Sequence, residues 1–183
     1  MSADGAGAAG APDWQPTLEG RLVRLRPLRP DDLEPLFAAA ADPLIWAQHS
    51  ERERHTRPVF ERFFQGALDS GGGLVALDAA SARVIGTTRF YDWNPRARSV
   101  VLGYTFLVRD LWGGPVNREM KRMLVEHALR WADSVWFHVS PGNMRSRRAL
   151  EKLGARLDRQ EDVMVAGVLS PRLHYVLTTV PPA

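Results

Sequence analysis

The sequence contains no cysteine, only two lysines and no apolar run of membrane-spanning length. Without cysteine the chain has no disulfide framework, no thiol nucleophile and no thiolate-bound metal, so any catalysis must use oxygen or nitrogen groups. This composition fits a reducing compartment, and the first residues lack the basic and apolar regions of a secretory leader. We therefore expect a cytoplasmic protein with no membrane partner and no metal site.

The basic residues are almost all arginine, with Lys121 and Lys152 as the only lysines. Guanidinium groups suit bidentate phosphate contacts, although arginine richness also arises from coding bias. The formal net charge is only +3, and the arginines at 21–29 and 145–148 lack interleaved aromatic residues, so we do not expect a nucleic-acid partner. No G-x-G-x-x-G motif follows an early strand, which disfavours a dinucleotide oxidoreductase.

Length and composition indicate one globular domain, since 183 residues of which 45% are apolar can bury a sizeable core. The start of the chain is mainly alanine, glycine and serine, which bury too little apolar surface to offset ordering entropy. We expect a disordered tail over residues 1–13, a domain over residues 14–183, and a monomer or homodimer.

Hydrophobic periodicity predicts alternating groups of strands and helices. In chain order these are a strand at 22–28, helices at 30–40 and 58–68, strands at 74–77, 84–93 and 100–108, a helix at 116–131, a strand at 135–139, a helix at 144–153, and strands at 156–165 and 173–180. Short connections predict antiparallel pairing, whereas the helical crossover after 100–108 predicts one parallel pair. The expected fold is α+β (α/β), with a mixed, mostly antiparallel sheet of six or seven strands and about four helices.

The segment Trp112-Gly113-Gly114-Pro115-Val116-Asn117 lies between a predicted strand and a predicted helix. Backbone N–H groups at a helix start bind anions, and glycine allows a close approach, so this loop predicts a site for a phosphorylated cofactor. Pro115 suits the first helical position but has no N–H to donate.

A second motif begins at Asn143, which follows the strand at 135–139 in the position of a helix N-cap. Helical spacing places Ser146 on the inward face of the following helix. Arg145, Arg147 and Arg148 lie mostly on other faces, for which a solvated basic surface is the default interpretation.

These motifs, in this order, resemble the GCN5-related N-acetyltransferase (GNAT) superfamily, in its branch similar to the ribosomal-protein alanine acetyltransferases. The resemblance spans residues 18–180 and is carried by the segments 103–107, 112–117, 143–146 and 149–155. It implies acetyl-CoA as co-substrate, two splayed central parallel strands, and acetyl transfer to a primary amine by direct attack in a ternary complex. The implied cofactor-binding residues are Phe106, Leu107, Val108, Trp112, Gly113, Gly114, Val116, Asn117, Asn143, Arg147 and Arg148.

The motifs identify the catalytic groups less directly, because Leu150 occupies the position at which many members of this superfamily have a tyrosine that acts as the general acid. Ser146 is the candidate acid for the leaving thiolate, against the alternative of an ordinary serine bonded to its own helix. Tyr104 and His49 are weak candidates for the base. His138 is a further candidate, but its strand position favours a core histidine, as the apolar helix stripe does for His127.

The acceptor is expected to be an amine-bearing small molecule or a peptide. Its predicted contacts are Trp46, His49, Arg89, Tyr91, Trp93 and Tyr104, of which the aromatic residues have core packing as their alternative role. Because Leu150 and Pro115 depart from the family pattern, the alternative function is a CoA- or peptide-binding module with little or no catalysis.

Overall fold

Eight strands form one sheet in the computed structural model, which describes residues 12–165 and 167–182. In chain order they are β1 (Leu18–Glu19), β2 (Val23–Pro27), β3 (Gly73–Asp78), β4 (Val84–Asn94), β5 (Ser99–Leu107), β6 (Ser134–Val139), β7 (Arg156–Val165) and β8 (Val168–Leu177). Their spatial order is β1-β2-β3-β4-β5-β6-β8-β7. Only β5 and β6 pair in parallel, which confirms the predicted mixed sheet and its parallel crossover.

The sheet has one strand more than the six or seven that were expected. The additional strand is β1, whose two residues are too few to show an alternating pattern. The last strand was expected at 173–180 but starts at Val168, since pairing with β7 extends to the hairpin turn. Most of the expected tail lies outside the described residues. Within it, the carbonyl oxygen of Asp13 contacts His127 Nε2 at 2.8 Å, so His127 is the satisfied core histidine that was predicted.

The α-helices flank the sheet on its two faces. They are α1 (Leu33–Ala40), α2 (Pro43–Trp46), α3 (Arg57–Asp69), α4 (Pro115–Ala128) and α5 (Met144–Lys152). Helix α2 was not predicted, because four residues are too short to show helical periodicity. Among the described residues, no helix has the length and hydropathy needed to cross a membrane.

Two hydrophobic clusters divide the core between the two faces of the sheet. On the α4 face, buried residues include Phe90, Leu102, Met120, Leu124 and Val135. On the α1–α3 face they include Leu36, Trp46, Phe60, Phe64 and Phe106. Neighbouring strand residues therefore serve opposite clusters, as Phe106 and Leu107 do, which is the period-2 alternation of a sheet buried on both faces.

Helix α4 is tied to the start of β2 by a single carboxylate. Glu119 accepts the backbone N–H groups of Arg21, Leu22 and Val23 at 3.0, 2.7 and 3.2 Å. Charge-assisted hydrogen bonds of this kind are about twice as strong as neutral ones. They hold α4 in a defined position on the sheet, and with it the loop that precedes the helix.

Lys121 is an unusual core residue of α4, only 7% exposed. Its ammonium group lies over the Phe137 ring at 5.2 Å, and no carboxylate of the described chain lies within ion-pairing distance. Burial lowers the pKa of Lys121 from 10.5 to about 8. Folding therefore disfavours the charged form of this side chain.

We predict that Lys121→Met raises the free energy of unfolding at pH 7 by about 2 kcal/mol, because the buried charge is removed. The gain is full below pH 8 and declines as the pH rises toward 10.5, where unfolded lysine also loses its proton. Urea unfolding at pH 7 and at pH 9.5 measures both effects. Equal gains at the two pH values would contradict the prediction.

Candidate active site

The central feature of the site is the gap between β5 and β6. The two strands pair only at Ser99↔Ser134, Val100↔Val135 and Val101↔Trp136. Beyond these residues β5 continues along β4 to Leu107, while β6 follows β8 to Val139. The predicted splay of the parallel strands is thus present, and the facing edges carry backbone groups that no strand of the described chain pairs.

A β-bulge in β5 lies beside the gap. Thr87 pairs with Phe106 and Arg89 with Gly103, so Thr88 alone faces both Tyr104 and Thr105. Tyr104 takes the left-handed conformation, with φ of 52°, and its side chain is 41% exposed. A bulge re-aims a side chain in this way, and here it turns the Tyr104 phenol out of the core.

The far end of the gap leads to the N-terminus of α4. Gly113 has φ of 72°. Gly114 is the N-cap residue and has no side chain to cap the helix, and Pro115 occupies the first turn. All three residues are exposed, whereas Val116 is buried and Asn117 half-buried. Trp112 anchors the loop by donating from Nε1 to the carbonyl oxygen of Leu107 at 3.0 Å. The first N–H groups of this helix have no intrahelical acceptor, and such groups can donate to an anion.

Asn143 lies at the entrance of α5 and caps it as predicted. Its Oδ1 accepts the backbone N–H of Ser146 at 3.1 Å, and the residue is 7% exposed. Ser146 is half-buried, and its hydroxyl makes no hydrogen bond to a described residue. Leu150 is 1% exposed and belongs to the core. Ser146 is therefore the polar hydroxyl that α5 leaves available at this end of the gap.

The arginines at the start of α5 have different surroundings. Arg147 donates to the carbonyl oxygen of Pro141 at 3.1 Å and approaches the Tyr175 hydroxyl at 3.4 Å, whereas Arg148 is exposed. Arg145 lies over the Trp112 ring at 3.8 Å and donates to the Ile45 carbonyl oxygen at 2.8 Å. This stacking brings α5 next to the anion-binding loop, a contact that sequence analysis did not identify.

Arg89, Tyr91 and Tyr104 form one cluster on the α3 face. The Arg89 guanidinium lies 3.6 Å from the Tyr104 ring centroid, and the two tyrosine rings are 5.1 Å apart. Gly103 makes room for Tyr91, because a Cβ there would lie 3.1 Å from its ring. Burial raises the pKa of the Tyr91 phenol above its ordinary value of 10.0, so this group stays protonated.

His138 lies on β6 and is half-buried, so it is less enclosed than the core histidine that was expected. Its Nδ1 lies 3.4 Å from the Tyr91 hydroxyl, and its ring centroid lies 4.3 Å from that of His174. Burial, followed by the charges of His174 and Arg172, lowers the pKa of His138 to about 4. His138 is therefore neutral near pH 7.

Trp46 and His49 occupy the neighbouring α2 region. Trp46 is 1% exposed and donates from Nε1 to the Ala40 carbonyl oxygen at 2.8 Å, while the His49 ring lies 5.1 Å from it. Burial, aided by the charges of Arg54 and Arg145, lowers the pKa of His49 to about 4.

Trp93 is separated from the other predicted acceptor contacts. Its ring lies 5.4 Å from that of Trp131. Phe90 also packs on Trp131, so Trp93 lies on the α4 face, opposite Arg89 and Tyr91. A bulge between Tyr91 and Asn94 shifts the alternation of β4 and places Trp93 there.

Sequence analysis missed Arg54 and Phe63 as members of the site. The Arg54 guanidinium lies 4.7 Å from the Phe63 ring centroid and 5.5 Å from that of Trp46. Phe63 in turn lies 6.4 Å from Tyr104. Arg54 belongs to a 3-10 turn, Arg52–His55, that shows no amphipathic pattern, so only the folded chain brings it to the tyrosines.

Comparison with known proteins identifies a family and several similar folds. The model of the Acetyltransferase (GNAT) domain matches residues 22–156. A GCN5-related N-acetyltransferase from Brucella melitensis aligns with TM-score 0.78 and 22% identity over 91% of this chain and 80% of that one.

Two further structures show the same fold. Mycobacterium smegmatis RimJ in complex with CoA-disulfide aligns with TM-score 0.68 and 18% identity over 85% of this chain and 81% of that one. An acetyltransferase of the GNAT family from Bacillus anthracis aligns with TM-score 0.70 and 11% identity over 88% and 98% of the respective chains. A comparison with curated protein sequences finds no match.

The loop geometry predicts that alanine substitution at two glycines will change the free energy of unfolding by different amounts. No atom of the described residues lies within 4 Å of a Cβ built at Gly113 or Gly142, but of these two only Gly113 has positive φ. We expect Gly113→Ala to lower the free energy of unfolding by about 1 kcal/mol, because alanine disfavours the left-handed conformation. Gly142→Ala is the matched control and should change it by less than about 0.5 kcal/mol. Urea unfolding measures both, and equal losses would contradict the strained loop.

Proposed function

The chain belongs to the GNAT family of N-acetyltransferases, and on this basis we propose that it transfers the acetyl group of acetyl-CoA to a primary amine by direct attack in a ternary complex. The acceptor amine belongs to a peptide or protein N-terminus or to a small molecule. The observation that carries the proposal is the open edge of β5, which ends beside an uncapped helix N-terminus. An extended ligand with a phosphorylated end fits both parts.

The fit of the phosphate end rests on the loop before α4. The N–H groups of Gly113, Gly114, Val116 and Asn117 are the donors we assign to the pyrophosphate. Pro115 adds none, yet its fixed φ favours the helical turn that orients the others. The loop surface is also open at Gly113, since a Cβ there would meet no atom of the described residues within 4 Å.

The pantetheine arm is assigned to the gap. The edge of β5 beyond Val101 has no strand partner on the β6 side. Of the predicted contacts on this edge, the Val108 N–H donates to the Ile85 carbonyl oxygen at 2.8 Å and the Leu107 carbonyl oxygen accepts from Trp112 Nε1, so the N–H of Leu107 is the donor we assign to the arm. Asn143 is buried at the start of α5. Because Asn143 Oδ1 already accepts from Ser146, its amide NH₂ is the group left to donate. For the 3'-phosphate, exposed Arg148 is better suited than Arg147, whose guanidinium already has protein partners.

Proton handling is assigned to three side chains. Acetyl-CoA supplies an activated thioester, and Ser146 is the candidate donor to the departing sulfur because its hydroxyl is free of described partners. Tyr104, turned toward the gap by the bulge, is the better placed base candidate. His49 is neutral near pH 7 but a weak base, since its pKa is about 4.

The proposal predicts that the protein releases CoA thiol from acetyl-CoA only when a suitable amine is present. A panel of α-amino peptides, amino acids, polyamines and lysine analogues would be assayed with a thiol reagent. Direct attack in a ternary complex gives intersecting double-reciprocal plots, because both substrates must bind before the chain releases product. CoA binding without thiol release for any amine would favour the alternative of a binding module.

For Ser146→Ala we expect kcat to fall by about tenfold to a hundredfold with the KM for acetyl-CoA little changed, as for loss of a general acid. Ser170→Ala is the control, since Ser170 lies on β8 and its hydroxyl contacts only the Val168 carbonyl oxygen. Full turnover of Ser146→Ala would remove Ser146 from the mechanism.

A further inference from the structure

Two arginines beside Tyr104 lack the carboxylate partners that neutralise other arginines of this chain. Arg26, for example, lies 2.7 Å from Asp32, and Arg57 lies 2.6 Å from Glu34. No carboxylate within residues 12–165 and 167–182 lies within 4 Å of the guanidinium of Arg54 or Arg89. Both side chains are half-buried, so solvent screens their charges only in part.

The two charges also act on each other. Burial lowers the pKa of Arg54 below its ordinary value, and the nearby charge of Arg89 lowers it further, although arginine remains charged. Glu51 and the Tyr104 phenol oppose this shift. Cation–π contacts with Phe63 and Tyr104 compensate the lost hydration only in part. Two like charges that lie near each other and are partly shielded from water would be stabilised by a bound anion.

Several guanidinium donors of this arginine pair have no hydrogen-bond partner among the described residues. Arg89 uses Nη1 to donate to the Gly66 carbonyl oxygen, while its Nε is buried without a hydrogen bond. Arg54 makes no hydrogen bond to a described residue. Arg172 adds positive charge to the same region, since its charge opposes the rise in the pKa of Tyr91 that burial causes and contributes to the low pKa of His138. A planar guanidinium fork matches the two oxygens of a carboxylate.

The position of Arg54 and Arg89 indicates that an anion bound by them would differ from the phosphates of a cofactor. Arg89 contacts Gly66 of α3, whereas its neighbour Phe90 packs on Trp131 below α4. The arginines lie on the α1–α3 face, against which Trp112 of the loop before α4 also packs. Neither arginine makes a hydrogen bond or cation–π contact with residues 112–117 of the described chain. They are instead adjacent to Tyr104 at the bulge, the part of the gap that an incoming amine would approach.

We propose that the acetyl acceptor carries a carboxylate close to its amine, and that Arg54 and Arg89 bind this carboxylate above the Tyr104 ring. The inference rests on the proposed acetyl transfer and narrows its acceptor. Two sources share this chemistry: the α-carboxylate of a free amino acid, and the acidic side chain of a peptide's first residue. Arg54 and Arg89 then set specificity, and the aromatic rings hold them in place.

The test compares acceptors that differ only in this charge. One arm pairs free amino acids with their amides, and the other pairs peptides beginning with Asp or Glu with those beginning with Asn or Gln. kcat/KM is measured by thiol release at saturating acetyl-CoA and expressed per unprotonated amine. In at least one arm we expect the carboxylate member to be preferred by about tenfold to a hundredfold, the range expected for hydrogen bonds to a charged group. The arm that shows the preference identifies the source.

Arg54→Gln and Arg89→Gln should each lower kcat/KM for the carboxylate acceptor about tenfold, mainly through KM, and lower it much less for the uncharged partner. Arg62→Gln is the matched control, because Arg62 is an exposed arginine of α3 outside the cleft. The KM for acetyl-CoA and the unfolding transition report whether the variants remain folded. Equal losses for charged and uncharged acceptors, or no preference in either arm, would overturn the inference.

A binding measurement separates this inference from the proposed function. Calorimetry with CoA-saturated protein compares an N-acetylated acid with its N-acetylated amide, in both the amino acid and the peptide series. Selective binding of the acid, lost in Arg89→Gln, supports the carboxylate site even if no amine is turned over, in which case the proposed transfer is wrong. Turnover of amines with no selectivity for the acid in either measurement leaves the transfer intact and refutes the carboxylate site.

Discussion

The divergence of β5 from β6 after three paired residues is the constraint on which the site depends. Each strand remains bound on its other side, β5 to β4 and β6 to β8, so neither can move to close the gap. The open edges retain backbone donors and acceptors in a largely apolar interior, where unpaired groups are costly. A bound chain of the right shape would satisfy them, which is why we propose the gap as the site of an extended ligand.

Local irregularities then place side chains around the gap. The bulge at Tyr104 turns a phenol outward, and the missing side chain of Gly103 lets Tyr91 cross the strand toward His138. The second bulge, between Tyr91 and Asn94, sends Trp93 to the opposite face. In strands without bulges, side chains would alternate regularly between the two core clusters. The candidate site therefore lies where bulges interrupt this alternation.

Two positive regions lie around the gap. The α4 N-terminus presents backbone N–H groups around Gly113, while Arg54 and Arg89 lie near Phe63 and Tyr104 on the α1–α3 face. N–H groups of a helix start suit phosphate oxygens, and guanidinium forks suit a planar carboxylate. Two ligands, one bound at each region, would therefore meet at the gap without competing for one anion site.

The sequence by itself determined the features that depend on neighbours along the chain. The glycine loop with Pro115, the Asn143 cap and the order of the elements follow from backbone preferences and hydrophobic period, which act over a few residues. The family resemblance added the splayed strands and the residues lining them. Arg89, Tyr91 and Tyr104, which were expected to contact the acceptor, do lie next to one another, because they belong to adjacent strands.

Only the tertiary structure decided which side chains meet across the fold. Arg54 joins Tyr104 through Phe63, and His138 reaches Tyr91 across β5, although no sequence pattern links these positions. Bulges likewise leave no reliable trace in an apolar run, so the orientation of Tyr104 and Trp93 could not be deduced. The reason is physical: burial and charge at the site depend on groups that lie far apart in the chain and become neighbours only when the sheet and helices pack.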